Sequence, residues 1–201
     1  PGSDFTKKDG ELLNSEFAPI EEKEVKSSEE LPILDHKKEI EEVISQNETS
    51  IIVGETGSGK TTQIPLMLRN VLGDDDRVAV TQPRRVAARS VCKYVAGQVG
   101  CEVGQEVGYH IRFDDQTTKG TRVNFVTDGL LVRQMQSDPL LQEYSAVMVD
   151  EAHERSLNID FTLGLLKSAQ RNRGQVGLPP LKIVVSSATL EKGKFIEYFD
   201  S

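Results

Sequence analysis

A chain of 201 residues with 37% hydrophobic and 28% charged side chains has room for one sizeable core and none for two large domains. No apolar run approaches the ~18 residues that would span a membrane and no signal peptide opens the chain, so a soluble protein without a membrane partner is expected. The net charge of −8 argues against a nucleic-acid partner only until it is located: residues 1–48 hold 14 Asp/Glu and 6 Lys/Arg, whereas residues 49–201 carry 18 of each sign.

Pro1, Gly2 and Ser3 lack an initiator methionine and read as an expression remnant on a fragment of a longer protein. Residues up to 30 are polar, rich in Glu, Lys and Ser and aperiodic, which predicts a flexible acidic extension, followed by one folded domain over 31–201. Leu31-Pro32 marks the boundary, and Ile33, Leu34, Ile40, Val43 and Ile44 recur at helical spacing up to Asn47.

The strand-like run Ile51-Ile52-Val53 then ends in Gly54-Glu55-Thr56-Gly57-Ser58-Gly59-Lys60-Thr61-Thr62, which fits the P-loop pattern G-x-x-x-x-G-K-[ST]. Such a loop curls around a phosphate chain and aims backbone N–H groups inward, a curl that Gly57 and Gly59 permit. A helix over 63–72 would add its positive dipole end, Lys60 a point charge for the β/γ-phosphates and Thr61 a hydroxyl for magnesium. The loop is therefore expected to bind ATP with Mg²⁺.

Further short apolar runs at 78–81, 123–126, 146–149 and 183–185 alternate with helical stretches at 84–98, 129–136, 159–171 and 192–199. This predicts an α/β fold with a mostly parallel sheet flanked by helices, its ligands at the carboxyl ends of the strands. Residues 97–108 are glycine-rich without clear period, and 173–180 read as a turn-rich loop. Cys92 and Cys101, with no C-x-x-C or His cluster, read as free thiols of an intracellular protein, nuclear or cytoplasmic.

The strand at 146–149 runs into Asp150-Glu151-Ala152-His153, the second strong signal. Beside a P-loop, an Asp at a strand end suits the magnesium side of an ATPase site, and Glu151 is placed to activate the attacking water.

Together these residues resemble the DEAH-box helicases of superfamily 2, most closely the splicing and ribosome-assembly RNA helicases. The resemblance covers 31–201 and rests on six elements in order: the P-loop; Thr81-Gln-Pro-Arg-Arg-Val-Ala-Ala88; Gly108-Tyr-His-Ile-Arg-Phe-Asp114; Thr127-Asp128-Gly129; Asp150 to His153 with Glu154-Arg155; and Ser187-Ala188-Thr189. It implies a RecA-like P-loop NTPase domain, the first of two, that couples ATP hydrolysis to translocation or remodelling of single-stranded RNA. It also implies that Ser187 and Thr189 bond back to the Asp150–His153 segment, His153 foremost, and that Arg84, Arg85, Arg112, Thr127 and Asp128 line the path of the RNA backbone. For each arginine a surface ion pair is an equally good reading.

The family's arginine fingers come from a second RecA-like domain, and translocation needs accessory domains as well, so this chain is expected to hydrolyse slowly alone. The resemblance leaves room for an activating protein cofactor. Where many members stack an arginine on the base, this chain has Tyr94, suited either to stacking or to packing against Val91 and Val95. A P-loop remodeller or nucleotide-switched scaffold that separates no strands is the alternative. A small-molecule kinase would leave the segments at 81–85 and 150–153 without a task.

Overall fold

The computed structural model describes residues 31–154 and 157–188. Seven strands form one sheet in the order β1-β7-β6-β2-β5-β3-β4. Their ranges are β1 Thr49–Val53, β2 Val78–Gln82, β3 Val107–Ile111, β4 Asp114–Gln116, β5 Val123–Thr127, β6 Ala146–Val149 and β7 Lys182–Ser187. All neighbours pair parallel except the β3–β4 hairpin. The central strands β2 and β6 are buried along their whole length, which is why they read as unbroken apolar runs.

Helices cover both faces. On one, α1 (Lys37–Gln46), α2 (Lys60–Val71) and α3 (Arg85–Val99) close a core of Ile44, Ile64, Leu68, Val80, Cys92, Val95 and Phe125. On the other, α4 (Asp128–Ser137) and α5 (Leu157–Gln175) pack Leu131, Met135, Ile159 and Leu166 against Val147 and Ile183. The α/β architecture expected from the alternating runs is thereby borne out, with element ends displaced by at most four residues.

Two features depart from the sequence reading. The glycine-rich stretch at 97–108 runs from the last turn of α3 into β3, and β3 and β4 form a hairpin at the sheet edge that the strand pattern did not single out. Gly108 is the reason for that residue type: a Cβ there would fall inside contact distance of the Gln116 carbonyl and 3.1 Å from Thr121 Cγ2. The loop expected at 173–180 begins later, because α5 continues to Gln175. Its buried Arg173 donates to the carbonyls of Pro179 (2.8 Å) and Tyr144 (2.8 Å), tying α5 to the segment before β6.

Both cysteines are free, as expected, and burial, with Cys101 nearby, pushes the Cys92 thiol up to about 12. No helix among the described residues is long and apolar enough to cross a membrane. The expected extension over 1–30, the helix over 192–199, Arg155 and Thr189 lie outside the described residues.

Candidate functional site

The P-loop leaves the carboxyl end of β1, where the Gly54 N–H bonds the carbonyl of Ser187 at the end of β7 (3.1 Å). Gly57 (φ 84°) and Gly59 (φ 98°) take the left-handed conformation that a tight curl requires. Gly59 has a second constraint, since a Cβ on it would stand 3.0 Å from Ile33 Cγ2 and 3.1 Å from Leu31 Cδ1. The 3₁₀ turn Pro32–His36 thus braces the loop, and the Ile33 N–H bonds the Ser58 carbonyl at 3.1 Å.

Lys60 opens α2 with its side chain folded over the loop, donating to the carbonyls of Gly54 (2.5 Å) and Glu55 (2.7 Å). Burial lowers its pKa, while the carboxylates of Glu151 and Asp150 oppose that shift. The Thr61 hydroxyl donates to Asp150 Oδ2 at 2.7 Å across 89 residues of chain. Gln82 Nε2 donates to the same oxygen at 2.7 Å, and the Ser186 hydroxyl donates to Oδ1. Asp150 is fully buried, so these donors replace the water it has lost.

Glu151 sits half-buried beside it with φ 52°, a left-handed backbone unusual for a residue with a Cβ. Burial, and next the charge of Asp150, raises its pKa. His153 Nε2 lies 3.2 Å from Glu151 Oε2, and His153 Nδ1 accepts the Ala188 N–H at 3.2 Å. A ring nitrogen that accepts carries no proton, so the neutral imidazole is protonated at Nε2 and donates to Glu151.

Among the described residues, the Ser186 hydroxyl and the Ala188 amide bond the segment after β6 to the end of β7, two groups to which the sequence reading assigned no role. Ser187, buried beside them, contributes its carbonyl to the P-loop.

A second group lines the carboxyl ends of three adjacent strands. Arg84 and Arg85 follow β2, Thr127 ends β5 and Arg112 follows β3. All three arginines are exposed, and among the described residues none forms an ion pair. By contrast Arg69, Arg77, Arg89 and Arg122 each meet a carboxylate. Arg112 lies over the ring of Phe113 at 4.7 Å, and Phe113 is 89% exposed at the hairpin tip. Asp128 is different: it is 4% exposed at the start of α4, and its Oδ1 has no hydrogen-bond partner among the described residues. A carboxylate so placed presents no cation to a phosphate backbone. Tyr94 is half-buried against the core beneath α3, its hydroxyl accepting from Gln98 Nε2 (3.4 Å).

Known proteins match the stretch of chain that holds these residues. The family model for the DEAD/DEAH box helicase matches residues 34–195. The chain belongs to the DEAD/DEAH box helicase family. It is 46% identical over 180 residues to "Probable ATP-dependent RNA helicase DHR2" of Saccharomyces cerevisiae, covering 88% of this chain and 24% of that protein. It is 44% identical over 171 residues to "ATP-dependent RNA helicase DHX33" of Homo sapiens, covering 85% of this chain and 24% of that protein. The chain thus spans about a quarter of the length of these curated relatives. A seven-stranded, mostly parallel sheet flanked by helices is the RecA-like fold of such a domain.

The donor set suits a magnesium nucleotide. Among the described residues there is no cluster of three His, Cys, Asp or Glu that would hold a metal unaided. One carboxylate and one hydroxyl 2.7 Å apart, beside a loop shaped for phosphates, would leave most magnesium positions to water and phosphate oxygens.

Proposed function

We propose that this chain is the ATP-binding first RecA-like domain of an ATP-dependent RNA helicase, and that it couples ATP hydrolysis to translocation or remodelling of single-stranded RNA in the whole protein. The observation that carries the reading is the contact of Thr61 with Asp150 at the mouth of the P-loop. The backbone from Gly54 to Gly59 would cradle the phosphates, Lys60 would exchange its carbonyl partners for β/γ-phosphate oxygens, and Thr62 and Tyr94 would complete the nucleotide's surroundings. Thr61 and Asp150 would hold magnesium, Asp150 through water. When bound, the ion supplies charge neutralisation on the phosphate oxygens.

Glu151 would take the proton from the attacking water. Its raised pKa makes it a stronger base than an ordinary glutamate, and His153 fixes the direction of its carboxylate. Ser187 and Thr189 would relay the state of this site to the rest of the protein. Arg84, Arg85 and Arg112 would hold RNA phosphates, with Thr127 beside them and Asp128 setting the start of α4. The far greater length of the relatives supports a second RecA-like domain and accessory domains in the same polypeptide, and an activating protein cofactor is compatible with that design. An RNA substrate implies an intracellular setting, nuclear or cytoplasmic.

Calorimetry with Mg-ADP tests the reading. Lys60→Ala removes the β/γ-phosphate charge and should weaken binding at least about tenfold, or ~1.4 kcal/mol. Glu151→Gln should bind normally and lose phosphate release. Equal Mg-ADP affinity in the wild type and Lys60→Ala would sink the proposal.

A further inference from the structure

Asp150 is held by three donors that come from three elements, and the three are not equivalent. Thr61, at the start of α2, is the donor whose hydroxyl would hold a metal ion, so its bond to Asp150 is the one that would be given up. Ser186, in β7, and Gln82, the last residue of β2, have no such second task and keep the carboxylate from rotating when Thr61 leaves. Gln82 shares Oδ2 with Thr61, so it alone remains on that oxygen.

The position of Gln82 in the chain adds a second consequence. Its backbone is paired with β5, in register with Thr127, one residue beyond the last β2–β6 pair at Thr81 and Val149, and only Pro83 separates it from Arg84. Proline fixes its own φ near −65°, so this connection is stiff. Arg84 caps α3 and Arg85 begins it, and both are exposed. A displacement of Asp150 that pulls on the Gln82 carboxamide therefore reaches the two arginines through one rigid residue.

We propose that Gln82 is a positioning residue that holds Asp150 in its metal-binding orientation and thereby ties the Arg84–Arg85 arm to the nucleotide site. The proposal rests on the reading that magnesium nucleotide binds between Thr61 and Asp150. It predicts that Gln82 matters to nucleotide only when metal is present. It also predicts that nucleotide and RNA affinities change each other by one common factor, as linkage demands, and that this factor depends on Gln82.

The test uses the 201-residue chain, with ADP titrated in magnesium and again in EDTA. Gln82→Leu and Gln82→Met keep the side-chain bulk and remove the donor. Both should bind ADP in EDTA within about twofold of wild type and lose about 10–100-fold in magnesium, the usual cost of removing a partner of a metal ligand. Binding of a labelled oligouridylate, measured with and without Mg-ADP, should shift in the wild type and cease to shift in the variants. An equal loss in magnesium and EDTA, no loss in either, or an unchanged RNA shift overturns the inference. Should both variants unfold, the carboxamide NMR signal of wild-type Gln82 replaces them: it should move when magnesium is added to the ADP complex, and a stationary signal overturns the inference. A wild-type chain that fails to bind ADP would instead overturn the nucleotide reading itself.

Discussion

Glu151 holds a left-handed backbone, φ 52°, which costs a residue with a side chain on the order of 1–3 kcal/mol unless its neighbours enforce it. Here the 3₁₀ turn Ala152–Glu154 closes behind it through the Glu154 N–H to Glu151 carbonyl bond (2.9 Å), and His153 holds its carboxylate. Asp128 carries a different burden. Burial chiefly raises its pKa, with the charges of Glu154 and Asp150 adding to the shift. The folded chain therefore binds this proton more tightly than the unfolded chain, and stability falls as pH rises from the unfolded carboxylate value through the folded one. Asp128→Asn should abolish that contribution. Thermal midpoints taken from about pH 4 to about pH 7 should fall for wild type relative to the variant, and parallel curves would contradict the assignment. Tyr94 admits a cleaner decision. If its ring stacks on the base, Tyr94→Ala in the full-length enzyme raises KM for ATP, GTP, CTP and UTP alike, by roughly 1–3 kcal/mol. An unchanged KM in a normally folded variant leaves the packing seen against the core and the Gln98 contact as its whole role.

At the scale of elements, the β3–β4 hairpin shows how a strand escapes a period-two reading. The β3 sequence Val-Gly-Tyr-His-Ile places a glycine where the Gln116 carbonyl at the end of the paired β4 comes close, and His110 and Tyr109 are only half-buried. The hairpin is clamped to α3 by side chains: Arg89 pairs with Asp114, whose Oδ2 also accepts the Tyr109 hydroxyl at 2.9 Å. Gly108→Ala forces a methyl group against the Gln116 carbonyl and should destabilise the chain by about 1–3 kcal/mol, the usual cost of overpacking. Urea denaturation checks this, and a midpoint equal to wild type would show that β4 yields freely. The 3₁₀ turn Pro32–His36 is the second such element, since its apolar side chains brace a phosphate loop that they precede by only two dozen residues.

For the whole molecule, the distribution of charge outweighs its sum. Beyond residue 48 the sequence carries 18 charges of each sign, and Arg84, Arg85 and Arg112, exposed and without an ion pair among the described residues, stand at one end of the sheet. Binding there should be independent of sequence and steep in salt, because each neutralised phosphate releases counterions. Arg85→Ala in the full-length helicase should weaken binding to unrelated RNAs similarly and reduce the slope of log K against log salt by about 0.7 for the lost contact. If a single RNA sequence were affected, Arg85 would be reading bases rather than phosphates.

The sequence by itself determined the nucleotide loop, the acidic strand end and the order of the α/β units, because each depends on residues adjacent in the chain: glycines at fixed spacing, a lysine at a helix start, an apolar run ending in Asp-Glu. Only the tertiary structure decided which side chains meet Asp150. Ser186 and Ser187 are neighbours, yet alternate residues of a strand face opposite sides of the sheet, so register alone puts the Ser186 hydroxyl on the carboxylate. Gln82 lies 68 residues before Asp150 and reaches it because β2 and β6 pair in parallel, Thr81 opposite Val149. Arg173 read as part of a loop because nothing local marks a cation as buried; its carbonyl partners come from segments up to 33 residues away. Local patterns fix conformations and chemistries, whereas contacts across the sheet require the packing that brings distant strand ends into one plane.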